Sequence, residues 1–140
     1  MVPGTGLERF VEAQAPVYDA ACAELAAGTK RTHWMWFVFP QLRGLGRSPT
    51  ADFYGLDGRA EALAYLQHPL LGPRLKQCTE LVLKLRERSL HQVFGSPDDL
   101  KFISCVTLFD AVAPEEAVFA QALDRCANNV RDARTMALLD

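Results

Sequence analysis

Apolar residues recur along most of this chain at three- and four-residue steps, the spacing of a helix that buries one face. Leu7, Phe10 and Val11, then Val17, Tyr18, Cys22 and Leu25, mark one or two amphipathic helices stopped at Gly28, because glycine takes the left-handed backbone that ends a helix. Thr32 stands where it can cap the next element. The segment His33-Trp34-Met35-Trp36-Phe37-Val38-Phe39-Pro40 has the β-branched and aromatic content of a buried strand, but no second strand is there to pair with it. It is therefore expected to be a short buried helix closed by Pro40.

Gln41 to Tyr54 holds Gly44, Gly46, Ser48, Pro49 and Thr50 and reads as a long loop, a type of segment that often carries function. Arg59 to Leu66 returns to helical spacing and is broken at His68-Pro69, where His68 is expected to cap the turn. Pro73 falls in the first turn of the next helix, and Leu75, Cys78, Leu81, Val82 and Leu85 extend its apolar stripe to about Arg88. Ser96-Pro97-Asp98-Asp99 has the order of a capping signature: a serine cap, a proline first and a carboxylate third. Leu100, Ile103, Val106 and Phe109 continue that helix, and Pro114-Glu115-Glu116 opens another with Val118, Ala122 and Cys126 inward. Asn128-Asn129 turns the chain into a last short helix through Met136 and Leu139. The pattern predicts an all-α fold of about seven helices, with a flexible start over residues 1–6 and one domain over 7–140.

Composition narrows the function classes. The chain has 140 residues, 49% hydrophobic and 23% charged, with a net charge of −2. That is enough apolar material for a core and too little charge for a disordered inhibitor or tail. Nor is there the basic stripe of a non-specific nucleic-acid binder. Lys30-Arg31 and the pair Arg86 and Arg88 are the nearest approach to basic clusters, and both read as solvated helix ends. No apolar run approaches the roughly 18 residues of a membrane span, and the first residues lack a charged-then-apolar leader. No nucleic-acid or membrane partner is expected, and the chain reads as cytoplasmic. Cys22, Cys78, Cys105 and Cys126 are spread singly among apolar residues, without C-x-x-C spacing. They read as reduced core residues in a reducing compartment.

Candidate chemistry gathers in three places. Arg31, His33 and Trp34 join a guanidinium, an imidazole and an indole, types that can grip a phosphate and stack a ring. Equally, the indoles of Trp34 and Trp36 can fill core while His33 bonds a neighbouring backbone group. Gln41, Ser48 and Tyr54 frame the loop, where Leu45-Gly46-Arg47-Ser48 can present backbone N–H groups to an anion or be an ordinary structured loop. Neither the P-loop nor the dinucleotide glycine pattern is present. Asp98, Lys101 and Ser104 or Cys105 share a helix face. The aspartates are expected to complete the cap and to pair with Lys101, leaving Lys101 and Ser104 open to a ligand. No histidine pair or carboxylate cluster has metal-ligand spacing, and no cofactor is implied.

The run Lys30-Arg31-Thr32-His33-Trp34-Met35-Trp36-Phe37-Val38-Phe39-Pro40-Gln41, followed by Leu45-Gly46-Arg47-Ser48, strongly resembles the domain of unknown function numbered 1810. This bacterial family is sometimes labelled "calpastatin". The likeness continues through Tyr54, Tyr65-Leu66, His68-Pro69, Phe94-Gly95, Lys101, Ser104, Thr107-Leu108-Phe109, Asp132 and Leu138-Leu139, and upstream to Phe10, Gln14 and Tyr18. Nearly the whole chain is covered. The resemblance implies a multihelical fold and brings no activity, cofactor or site residue with it. Cys105 stands where serine is common, and Asn128-Asn129 where a glycine-containing turn would be expected. The calpastatin label conflicts with the composition, since an inhibitor of that kind is long, repetitive and disordered until bound.

Two functional readings follow, and the oligomeric state stays open in both. In the first, the chain binds a small anionic, phosphate- or nucleotide-like molecule and is either a binding protein or an enzyme. Arg31, Lys101 and the Gly46 loop would hold the anion, with Trp34 or Tyr54 stacking and His33 as the catalytic acid/base candidate. Gln41, Ser48 and Ser104 complete that set. In the second, the chain is a non-catalytic interaction module with an exposed apolar face.

Overall fold

The computed structural model describes residues 6–139. Ten helices follow one another among them: α1 (Glu8–Gln14), α2 (Tyr18–Ala27), α3 (Met35–Val38), α4 (Pro49–Phe53), α5 (Arg59–Gln67), α6 (Leu71–Leu83), α7 (Leu90–Phe94), α8 (Asp98–Val112), α9 (Ala117–Ala127) and α10 (Ala133–Leu139). The all-α class stands, but the count of about seven is corrected to ten. The expected flexible start lies outside the described residues except for Gly6.

Each added helix has a local cause. Pro16 falls between α1 and α2 and divides the first apolar stretch. Inside the expected loop, Ser48 caps α4 by accepting the Ala51 N–H at 3.0 Å, with Pro49 in the first position. Ser89 and Gln92 form a reciprocal capping box that starts α7. The helix expected to run to about Arg88 stops at Leu83 instead. Ser96 is not the cap of α8. The first N–H groups there are taken by backbone carbonyls, Asp99 N–H by Gly95 at 2.9 Å and Leu100 N–H by Pro97 at 3.0 Å.

Other expectations agree with the structure. Gly28 ends α2 in the left-handed region at φ 84°. His68 Nδ1 accepts the N–H groups of Leu70 and Leu71 at 3.1 and 3.3 Å, capping the turn into α6. Asn128 and Asn129 take φ of 51° and 63°, so the asparagines supply the left-handed turn expected of glycine.

α8 is the axis of the fold. Its residues from Ser104 to Asp110 are all buried, and α5, α7, α9 and α10 pack against it. The aromatic segment of α3 drives Trp34 and Phe39 into the same core, where Phe39 meets Phe102 at 5.1 Å and Phe94 at 5.9 Å between ring centroids. Two buried polar residues tie α1 to the rest. Arg9 donates to the carbonyls of Phe53 and Gly55 and pairs with Glu61 at 3.2 Å, while Gln14 donates to the Phe37 carbonyl at 2.6 Å and to the Tyr65 hydroxyl at 3.0 Å. These bonds give carbonyl groups at the ends of α3 and α4, and at Gly55 just beyond α4, partners that the helices do not supply.

Candidate functional site

The 41–46 connection is held by a single β-like bridge between Leu42 and Leu56, with Arg43 N–H donating to Leu56 and Leu56 N–H to Gln41. This fixes Gln41, Leu45 and Gly46 opposite the first turns of α8, which present Pro97, Leu100, Lys101 and Ser104. The start of α10 closes the third side with Asp132 and Arg134. Together they enclose a cavity of about 320 Å3. Four residues expected from the sequence therefore share one concavity: Gln41, Gly46, Lys101 and Ser104.

Its electrostatics are mixed, with cations in excess. Lys101 Nζ pairs with Asp98 at 3.3 Å and lies 4.1 Å from the centroid of the half-buried Trp36 ring. Asp98 is shared with Lys30, whose Nζ approaches to 3.0 Å, so one carboxylate answers two ammonium groups. Arg134 donates to the Leu45 carbonyl at 3.4 Å, a neutral partner that leaves its charge in place. Asp132 is occupied as the cap of α10, accepting the N–H and hydroxyl of Thr135 at 2.9 and 2.5 Å, while its own N–H donates to Thr107 Oγ1 at 3.0 Å. Ser104 bonds back to the Leu100 carbonyl at 3.2 Å and can still accept a bond from a ligand.

The remaining expected residues are outside this lining. Trp34 is wholly buried, and its Nε1 donates to Glu24 at 2.9 Å, so it cannot stack a ligand and is a core residue. Tyr54 packs on Phe10, Phe37 and Phe53. Ser48 serves α4 as its cap. Arg31 and His33 are exposed and do not line the cavity, which leaves the imidazole without a place in the site as built. Thr32 caps nothing. Its hydroxyl donates to Glu24 at 2.7 Å.

Glu24, at the end of α2, went unnoticed in the sequence although it organises the whole approach to α3. Its carboxylate also accepts the N–H groups of Arg31 and Thr32 at 2.7 and 3.0 Å. Burial alone would raise its pKa, but the bonds from Thr32, Arg31 and Trp34 outweigh that and hold the carboxyl at about 2. Asp132 and Arg134 were also missed as site residues, because nothing local to the last helix signals that it folds back over the 41–46 connection. Among the described residues, no group of three or more His, Cys, Asp or Glu side chains is arranged to hold a metal ion, and no helix is long and apolar enough to cross a membrane.

A family model described as a protein of unknown function (DUF1810) matches residues 4–139. The chain belongs to the DUF1810 family. Among solved structures, a conserved hypothetical protein from Mycobacterium tuberculosis is 55% identical over 95% of both chains, with a TM-score of 0.94. Among curated proteins none matches. Membership of DUF1810 and this neighbour agree with the multihelical fold. Neither description names a ligand, reaction or partner, so any function for this DUF1810 chain must be argued from its own geometry.

Proposed function

We propose that the chain binds a small anionic, phosphate- or nucleotide-like ligand in the cavity between the 41–46 connection, α8 and α10, as a cytoplasmic binding protein or enzyme. The observation that carries this reading is the placement of Lys101 and Arg134 around one 320 Å3 concavity with Gln41 and Ser104. Two cations outnumber the one lining carboxylate, Asp132, which Thr135 already engages, and with the neutral hydrogen-bonding groups beside them they suit an anion whose remaining atoms also need polar contacts. Pro97, Leu100 and Leu45 give the same cavity an apolar wall for the ligand's body. The four free cysteines suit a reducing compartment.

The alternative, an interaction module, would draw on exposed apolar side chains. The large ones among the described residues are Phe53, Leu100, Val130 and Leu138, one from each of four separate stretches. The cavity is the stronger support.

Thermal-shift measurements with inorganic phosphate, sugar phosphates, nucleotides and ADP-ribose test the proposal. A ligand at a hundred times its Kd should add about 2.7 kcal/mol of stability, and Lys101→Met or Arg134→Gln should remove that gain. If no anion of the set stabilises the protein, or if both variants respond as the parent does, the reading fails.

A further inference from the structure

The pair Arg86 and Arg88, read from the sequence as a solvated helix end, lines a second hollow with Arg125 of α9. Its volume is about 210 Å3, and Leu85, Leu90 and Val93 are among its apolar walls. No carboxylate lines it. A wider cleft of about 510 Å3 shares Arg86 and Arg125 with it, and the carboxylates of Glu80 and Asp124 belong to that cleft.

Two of these guanidinium groups are held in place by neutral acceptors. Arg88 donates through Nε to the Gly28 carbonyl at 2.6 Å, and through Nη2 to the Gln92 carbonyl at 3.1 Å and Thr29 Oγ1 at 3.3 Å. Arg125 donates through Nη1 to the Leu83 carbonyl. Every one of these acceptors is neutral. By contrast Arg9, Lys30, Arg43, Lys76, Lys101 and Arg131 are each paired with a carboxylate. The Arg86 side chain has no hydrogen bond or ion pair among the described residues, its backbone N–H alone donating to the Lys84 carbonyl at 3.0 Å.

Two guanidinium groups are thus fixed without losing their charge, and a third is free to swing. Like charges around one small volume repel, and that repulsion becomes attraction when an anion enters. The donors left over, Arg88 Nη1, the outer edge of Arg125 and all of Arg86, suit several oxygens of a tetrahedral anion better than one planar carboxylate. The hollow is smaller than the ~300–1,000 Å3 of drug-sized sites, so the ligand is small. We propose that it binds the dianionic phosphoryl group of a small phosphomonoester, with Arg88 and Arg125 as fixed donors and Arg86 closing over it. This site is separate from the Lys101 cavity.

The test is a titration of the arginine Nε–H resonances by NMR, backed by calorimetry, with inorganic phosphate and with glycerol 3-phosphate at constant ionic strength. The expected result is a saturable shift of the Arg88 and Arg125 signals, tighter with the ester than with inorganic phosphate. Arg86→Gln should weaken affinity about tenfold while leaving the melting temperature unchanged, and Lys101→Met should keep the response. The proposal is overturned if chloride reproduces the shifts, if inorganic phosphate binds as tightly as the ester, or if Arg86→Gln binds like the parent. A response abolished by Lys101→Met and indifferent to Arg86→Gln would overturn it too, while supporting the Lys101 cavity.

Discussion

Glu24 accepts the indole N–H of Trp34 at 2.9 Å, so the last turn of α2 holds the largest core side chain by its one polar atom. The carboxyl ionises at about 2 in the folded chain, against an ordinary 4.5, so folding favours its charged form. Its contribution is complete above about pH 4.5 and is lost as the pH falls toward 2. Glu24→Gln should cost about 2 kcal/mol at neutral pH, the order of a hydrogen-bonded charge. It should also flatten the dependence of melting temperature on pH across that acid window. A variant that melts with the parent's acid profile would remove Glu24 as its source.

Trp34 and His33 are neighbours with opposite expected sensitivities. Trp34→Ala should destabilise by about 3–5 kcal/mol, the range for truncating a buried ring. His33→Ala, at an exposed position, should stay within about 0.5 kcal/mol and leave any anion-induced stabilisation intact. Denaturant melts of both variants, with and without ligand, read this directly. Loss of the ligand effect in His33→Ala would return the imidazole to the site.

A Cβ on Gly46 would lie 2.5 Å from the Cβ of Ala51, a clash between the cavity wall and the first turn of α4. Gly46→Ala should therefore cost about 1–3 kcal/mol through overpacking. Ala51→Gly, by itself unfavourable by about 1 kcal/mol in a helix, should recover part of that loss in the double variant. A double-mutant cycle by chemical denaturation measures the coupling. Strict additivity would contradict the contact.

Burial pushes the thiol of Cys78 up to about 12 and that of Cys105 well above the ordinary 9.0. At pH 7.5 neither offers a thiolate. Mass spectrometry after treatment with an aromatic disulfide reagent should find both unmodified in the native protein and all four cysteines modified in denaturant. Rapid native labelling of Cys105 would show that α8 opens locally.

Long periodic stretches were readable from the sequence because a helix of several turns repeats its burial signal. The stripe of Leu75, Cys78 and Val82 and the stop at Gly28 are examples. The five-residue helices α4 and α7 span too little chain for such a repeat. Their only marks are Ser48-Pro49 and the Ser89–Gln92 box, which the glycines and charges nearby obscured. The site was legible in part for a similar reason. Gln41, Gly46, Lys101 and Ser104 stood out by type and do converge, whereas Trp34 was open to both a core and a stacking role, and its burial decides for the core. Asp132 and Arg134 depend on a long-range fold-back that no short window of sequence encodes.

The helix that carries Arg134, with Asp132 just before its first turn, has Thr135 as its buried residue, so one flank of the cavity rests on a segment with little burial of its own. An anion bridging Lys101 and Arg134 would staple that terminal segment to the central helix. Occupancy and fraying would then be a single equilibrium, and amide exchange in α10 would report how full the site is.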